Sequence, residues 1–173
     1  MTTVILLLRA LHILGGVFWA GATISLYAFV MPAVTATQPD SRRFVQHLAG
    51  RSGLTLWMAL GAWATVIGGI ALFSPATGQM TAGMMGSPRG IVLSIGALLG
   101  LAVFLEGQFV LGPTARRLGA TSAALAAAGG PPSPEQVAQV AGLQAKMIRT
   151  GRRAAVLLGL AVLLMATARY VGP

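Results

Sequence analysis

The chain contains no cysteine and only three acidic residues, Asp40, Glu106 and Glu135, among its 173. The absence of thiols excludes disulfides, zinc–thiolate sites and thiol chemistry within the chain. Charged residues of both signs make up 9% of the sequence. Soluble domains carry about a quarter, so a deficit this large points to lipid as the solvent. There are two histidines, His12 and His47, and no recognisable nucleophile–base arrangement, so the chain is expected to be non-enzymatic. P-loop and dinucleotide-binding fingerprints are absent, as is any repeat long enough for a solenoid.

What remains is apolar and glycine-rich. Hydrophobic residues are 55% of the chain, mean hydropathy is +0.79, and there are 23 glycines, a composition that suits tightly packed membrane helices. The first apolar run, Ala10 to Met31, carries no charge. As a helix it covers roughly 33 Å, enough for a bilayer core of about 30 Å. Ala20-Gly21-Ala22 resembles a signal-peptide cleavage site. The run continues about ten residues past it, whereas signal cores span about 7–15, so an uncleaved first transmembrane helix is expected. Pro32 is expected to end that helix. The second run, Leu54 to Phe73, places Gly61, Thr65 and Gly68 at helical spacing, which lets two backbones approach closely. The third extends from about Gly90 to Gly112, holds the G-x-x-x-G pair Gly96 and Gly100 and the acid Glu106, and is expected to close at Pro113. The fourth is Ala154 to Val171. The expected fold is all-α: an integral membrane four-helix bundle, with residues 1–173 as one transmembrane domain.

Two connections carry most of the polarity. Residues 33–50 include Asp40, Arg42, Arg43 and His47, and residues 74–88 read as a loop by their Gly and Pro content. Thr114 to Ala128 is Ala-rich and expected to be helical, and Gly129-Gly130-Pro131-Pro132 breaks it. Ser133 then opens a further helix, with Pro134 at its first position and Gln136 completing an S-x-x-Q capping box. Val137, Val140, Met147 and Ile148 give this helical connection between spans three and four an apolar face.

Nine of the 12 basic residues fall on one side of such a bundle: Arg42, Arg43, Arg51, Arg116, Arg117, Lys146, Arg149, Arg152 and Arg153. Arg9, Arg89 and Arg169 fall on the other. The positive-inside rule places the nine in the cytoplasm and both termini in the periplasm, in a bacterial cytoplasmic (inner) membrane. The net charge of +9 therefore sits at helix ends, where anionic headgroups lie. No nucleic-acid-reading motif accompanies it, so the expected partners are membrane lipids, other membrane subunits or further copies of the chain.

His12, Gly16, Trp19 and Thr23 share one stripe of the first helix. Ionisable groups within a bilayer are costly and face the bundle interior. A neutral imidazole can ligate haem iron or a metal ion, and Gly15 and Gly16 leave room for a flat macrocycle. His12, Gly16 and Trp19 are thus a candidate site for haem b or another tetrapyrrole, with a second ligand from Met58, Met165 or a second subunit. The alternative is a histidine that hydrogen-bonds a neighbouring helix or a headgroup. Glu106 either carries protons or pairs with Arg51, Arg152 or Arg153. Pairing is the expectation, because no second acid lies in any span. Met80, Met84 and Met85 on the outer loop are soft thioethers of the kind that select Cu(I), and His12 is the other candidate metal ligand. Trp57 and Trp63 read as core or interface anchors.

The opening R-A-L-H-I-L-G-G-V-F-W-A-G, Arg9 to Gly21, resembles the L-H-x-x-x-x-x-x-W-x-G start of a superfamily of small bacterial membrane proteins. It includes the copper-resistance D type, the HemJ-type protoporphyrinogen oxidases and uncharacterised integral-membrane families. G-P-T-A-R-R-L, Gly112 to Leu118, and L-M-A-T-A-R-Y, Leu164 to Tyr170, are most similar to the uncharacterised members. The resemblance implies four helices over the whole chain. His12 matches the first-helix histidine linked to haem in the HemJ type, and Arg89-Gly90 stands where that type has a lysine. The copper-resistance type implies copper handling.

The leading functional expectation is a non-enzymatic haem- or tetrapyrrole-binding membrane protein. A structural or accessory subunit and a copper-handling protein are the alternatives. The charge asymmetry makes a first prediction: a reporter fused to the C-terminus should behave as periplasmic, and a cytoplasmic signal would overturn the topology.

Overall fold

With no water in hydrocarbon to satisfy backbone groups, apolar runs of this length have helices as their internal solution. The computed structural model describes residues 2–37, 41, 44–45, 47–48, 52–74 and 81–172, and among the described residues it is all-α. Helix α1 (Thr2–Ser25) passes through a π-helical turn, Leu26–Val30, into α2 (Met31–Ala36). Next come α3 (Leu54–Phe73) and a single turn, α4 (Ala82–Met85). Helix α5 (Pro88–Glu106) passes through a second π-helical turn, Gly107–Leu111, into α6 (Gly112–Ala127). Helix α7 (Pro134–Thr167) ends in a 3-10 turn, Ala168–Tyr170. Four helical stretches, Thr3–Ala36, Leu54–Phe73, Pro88–Ala127 and Pro134–Tyr170, are long and apolar enough to cross a membrane.

The two prolines do not end their helices, which corrects the expectation for Pro32 and Pro113. An interior proline lacks an N–H, and its ring presses on the carbonyl four residues back. Each proline here lies directly after a π-helical turn and one residue further on. In both turns the residue before the proline donates to the carbonyl five back: Met31 N–H to Leu26 and Gly112 N–H to Gly107. The wider turn takes up the disturbance, and the helix continues.

Helix starts follow local chemistry. Ser87 caps α5 by accepting from the Gly90 N–H at 3.2 Å, with Pro88 in the first turn. At α7 the capping box is complete. The Ser133 hydroxyl accepts from the Gln136 N–H at 3.3 Å, and the Ser133 N–H donates to Gln136 Oε1 at 2.8 Å. The Ser133 hydroxyl also donates to Glu135 Oε2, and with the Glu135 backbone N–H this holds the carboxyl below its ordinary range.

The bundle is held by close approach of small residues. Helix α1 packs on α3 and on α7, α5 packs on α7, and α3 packs only lightly on α5. A Cβ at Gly15 would sit 2.8 Å from the Gly61 carbonyl oxygen, so these two backbones are in contact and a side chain is sterically excluded. The four helices meet at Trp19, Ala20, Ala62, Val103, Phe104, Ala154 and Leu158. Trp63 meets Phe104 edge-to-face at 4.7 Å, joining α3 to α5. Large apolar side chains face outward instead: Leu14 is 70% and Phe109 74% exposed, as suits a protein whose surroundings are hydrocarbon.

Pro88–Ala127 is 40 residues long, roughly 60 Å as a helix, about twice a bilayer core. Helices α6 and α7 pack together, with Leu118 and Leu125 half-buried. They form a hairpin that extends beyond the apolar segments.

Gly151 gives the sharpest test of this packing. The Tyr27 ring of the first π-helical turn lies where a Cβ on Gly151 would be, whereas nothing lies within 4 Å of a Cβ at Gly100. Gly151→Ala should destabilise the folded protein by about 1–3 kcal/mol in thermal unfolding in detergent. Gly100→Ala should be neutral or gain up to about 1 kcal/mol. Equal effects would contradict the Tyr27–Gly151 contact.

Candidate functional site

The polar stripe of α1 faces its neighbours. His12 Nδ1 lies 2.7 Å from the Thr65 carbonyl oxygen of α3. A carbonyl only accepts, so Nδ1 carries a proton and donates; in the neutral imidazole this leaves the lone pair on Nε2. The imidazole rests on a glycine step: a Cβ on Gly69 would be 3.0 Å from its Nδ1, and one on Gly68 would be 3.1 Å from the His12 backbone nitrogen. A Cβ on Gly16 would meet the Thr65 methyl at 3.5 Å. Trp19 and Thr23 are buried, and the Thr23 hydroxyl donates to the Trp19 carbonyl at 2.8 Å.

This arrangement bears directly on a tetrapyrrole. The face of Gly15 and Gly16 is occupied by Gly61, Ala64 and Thr65 of α3, so no slot for a macrocycle opens there. Met165 packs on Gly96 between α5 and α7. Met58 lies on α3 seven residues from Thr65, about 10 Å along the helix.

Glu106 pairs with Arg153, one of the three partners expected from sequence. The pair ties the end of α5 to α7. The Glu106 side chain is 9% exposed and that of Arg153 66%, so the carboxylate is sequestered while the guanidinium reaches outward. Arg152, the next residue, faces a different neighbour. With Arg149, Ala145 and Ile148 it lines an open cleft against Pro32, Thr35 and Ala36 of α2. Sequence reasoning did not single out Tyr27, Thr114 and Thr150, which are buried at this end of the molecule. Their one sequence signal is polarity beside or within an apolar run.

Of the methionine cluster, Met80 lies outside the described residues. Met84 and Met85 belong to α4, whose last turn leads into the cap of α5: the Ser87 hydroxyl donates to the Met84 carbonyl at 2.7 Å. Among the described residues there is no group of three or more His, Cys, Asp or Glu side chains placed to hold a metal ion, and no buried side-chain nitrogen or oxygen lacks a hydrogen-bond partner. No family model matches the chain, and neither does any curated protein or solved structure.

The ion pair has a measurable asymmetry. Arg153→Gln strands the sequestered Glu106 carboxylate and should cost about 1–2 kcal/mol in thermal unfolding, reduced from the value of a fully buried pair by the exposure of Arg153. Glu106→Gln combined with Arg153→Gln should cost less than Arg153→Gln alone. A double variant at least as unstable as the single one would count against an ion pair.

Proposed function

We propose that this chain is a non-catalytic accessory subunit of the bacterial cytoplasmic membrane, a four-helix bundle that offers surfaces to lipid and to other membrane proteins. The observation that carries this reading is the closed α1–α3 seam. The one histidine in an apolar run donates to the Thr65 carbonyl, and the glycines beside it are covered by α3. Three features add support. The core is built from apolar side chains. Buried polar atoms among the described residues are all partnered. The α6–α7 hairpin leaves apolar residues such as Val137 exposed. In this reading the termini are periplasmic and the hairpin is cytoplasmic, following the basic residues.

One observation favours a second reading. Donation from Nδ1 leaves Nε2 of a half-buried His12 as a free ligand atom. Two copies of the chain, each presenting this nitrogen, would hold a haem b between them through their His12 side chains.

An absorption spectrum separates the two. Parent protein and His12→Ala are purified from cells supplied with a haem precursor. The accessory reading expects no Soret band in the parent and a loss of only about 0.6 kcal/mol in the variant, the average for interhelical hydrogen bonds in membranes. A band at one haem per two chains that disappears in His12→Ala establishes the shared-haem reading. One haem per chain would overturn both.

A further inference from the structure

The cleft between α2 and α7 combines three properties. Its volume is about 750 Å³, and Pro32, Ala36, Ala145 and Ile148 supply apolar walls. On α7, Ala145, Ile148, Arg149 and Arg152 follow the i, i+3, i+4, i+7 spacing of one helix face. Pro32, Thr35 and Ala36 do the same on α2. Helix α7 touches the π-helical turn before α2, where Tyr27 lies on Gly151, and packs little on α2 itself.

Its charge is unbalanced. Of three acids in the chain, Glu106 is taken by Arg153, Glu135 sits at the start of α7 with Ser133, and Asp40 lies outside the described residues. Among the described residues neither Arg149 nor Arg152 has a carboxylate partner. Its level is also defined. Pro32 directly follows the first apolar run and Arg152 lies two residues before the fourth, so the cleft stands at the boundary between hydrocarbon and headgroups.

We propose that this cleft is a binding site for an anionic phospholipid, whose phosphodiester is held by Arg149 and Arg152 and whose acyl chain lies along Pro32, Ala145 and Ile148. Two guanidiniums with no carboxylate partner among the described residues select a phosphate group. The apolar walls and the level select a lipid over a free anion. This rests on the membrane reading above. Alkaline carbonate extraction tests that reading separately: a chain released from membranes would fail it whatever the cleft binds.

The test is lipid retention by protein in neutral detergent, followed by native mass spectrometry while palmitoyl-oleoyl phosphatidylglycerol is titrated in. Parallel arms use the phosphatidylcholine of the same chains and inorganic phosphate. The parent should retain phosphatidylglycerol in preference to phosphatidylcholine. R149Q combined with R152Q should bind it about thirtyfold more weakly, the effect of two basic residues at a membrane surface. R116Q combined with R117Q removes the same charge from α6 and should stay within about threefold of the parent. R149K with R152K should restore most of the binding. A145W fills the apolar wall without changing charge and should also weaken retention. Equal retention of phosphatidylcholine, an equal loss in R116Q/R117Q, or parent-like binding by A145W would overturn the proposal. Displacement of the lipid by inorganic phosphate at equal concentration would show an anion site rather than a lipid site.

Discussion

Every backbone N–H and C=O inside a bilayer has to be satisfied by the chain itself. A proline at the end of an apolar run threatens that requirement, because it removes a donor and displaces the carbonyl four residues back. The chain meets the problem twice and in the same way. At Leu26–Val30 and at Gly107–Leu111 the helix widens by one residue, and the bond before the proline reaches five residues back. Continuity of α1 with α2 and of α5 with α6 depends on these turns. So does everything built beyond them: the cleft at α2 and the hairpin at α6.

Inside the bundle the organising force differs from that of a soluble core. Lipid tails are as apolar as leucine, so helices gain by close contact and polar links rather than by hiding grease. The seam between Gly15 and Gly61 and the seating of Tyr27 on Gly151 are contacts of this kind. His12–Thr65 and Glu106–Arg153 add specific links on either side of the core. Their positions tie α1 to α3 at one level and α5 to α7 at another. The weakly packed α3–α5 side is bridged by Trp63 and Phe104.

Much of this was legible in the sequence, for physical reasons. Long uncharged runs have one internally satisfied conformation, so four apolar helices could be read directly, and α3 coincides with the run Leu54 to Phe73. The α7 start was legible because Ser133, Pro134 and Gln136 act within one turn. The inward stripe at His12 followed from helical spacing and the cost of imidazole in hydrocarbon. Helix ends at Pro32 and Pro113 were not legible, because a π-helical turn depends on packing against α7 that no local rule encodes. Gly151 was hidden among 23 glycines, and its partner Tyr27 lies far away in the chain. The glycines beside His12 left their purpose open in sequence; only the position of α3 shows them serving a helix contact.

A π-helical turn is geometrically an α-helix with one residue inserted. Each extra residue turns all that follows by about 100° around the helix axis. The faces that α2 and α6 present are therefore set by a residue count rather than by side-chain chemistry. Thr35 and Ala36 border Arg149 and Arg152 only because that phase has been advanced. Loss of a single residue from Leu26–Val30 would leave the apolar run long enough to span and its composition unchanged, yet it would aim α2 at a different neighbour. The molecule thus carries two rotational offsets, independent of which amino acids occupy them.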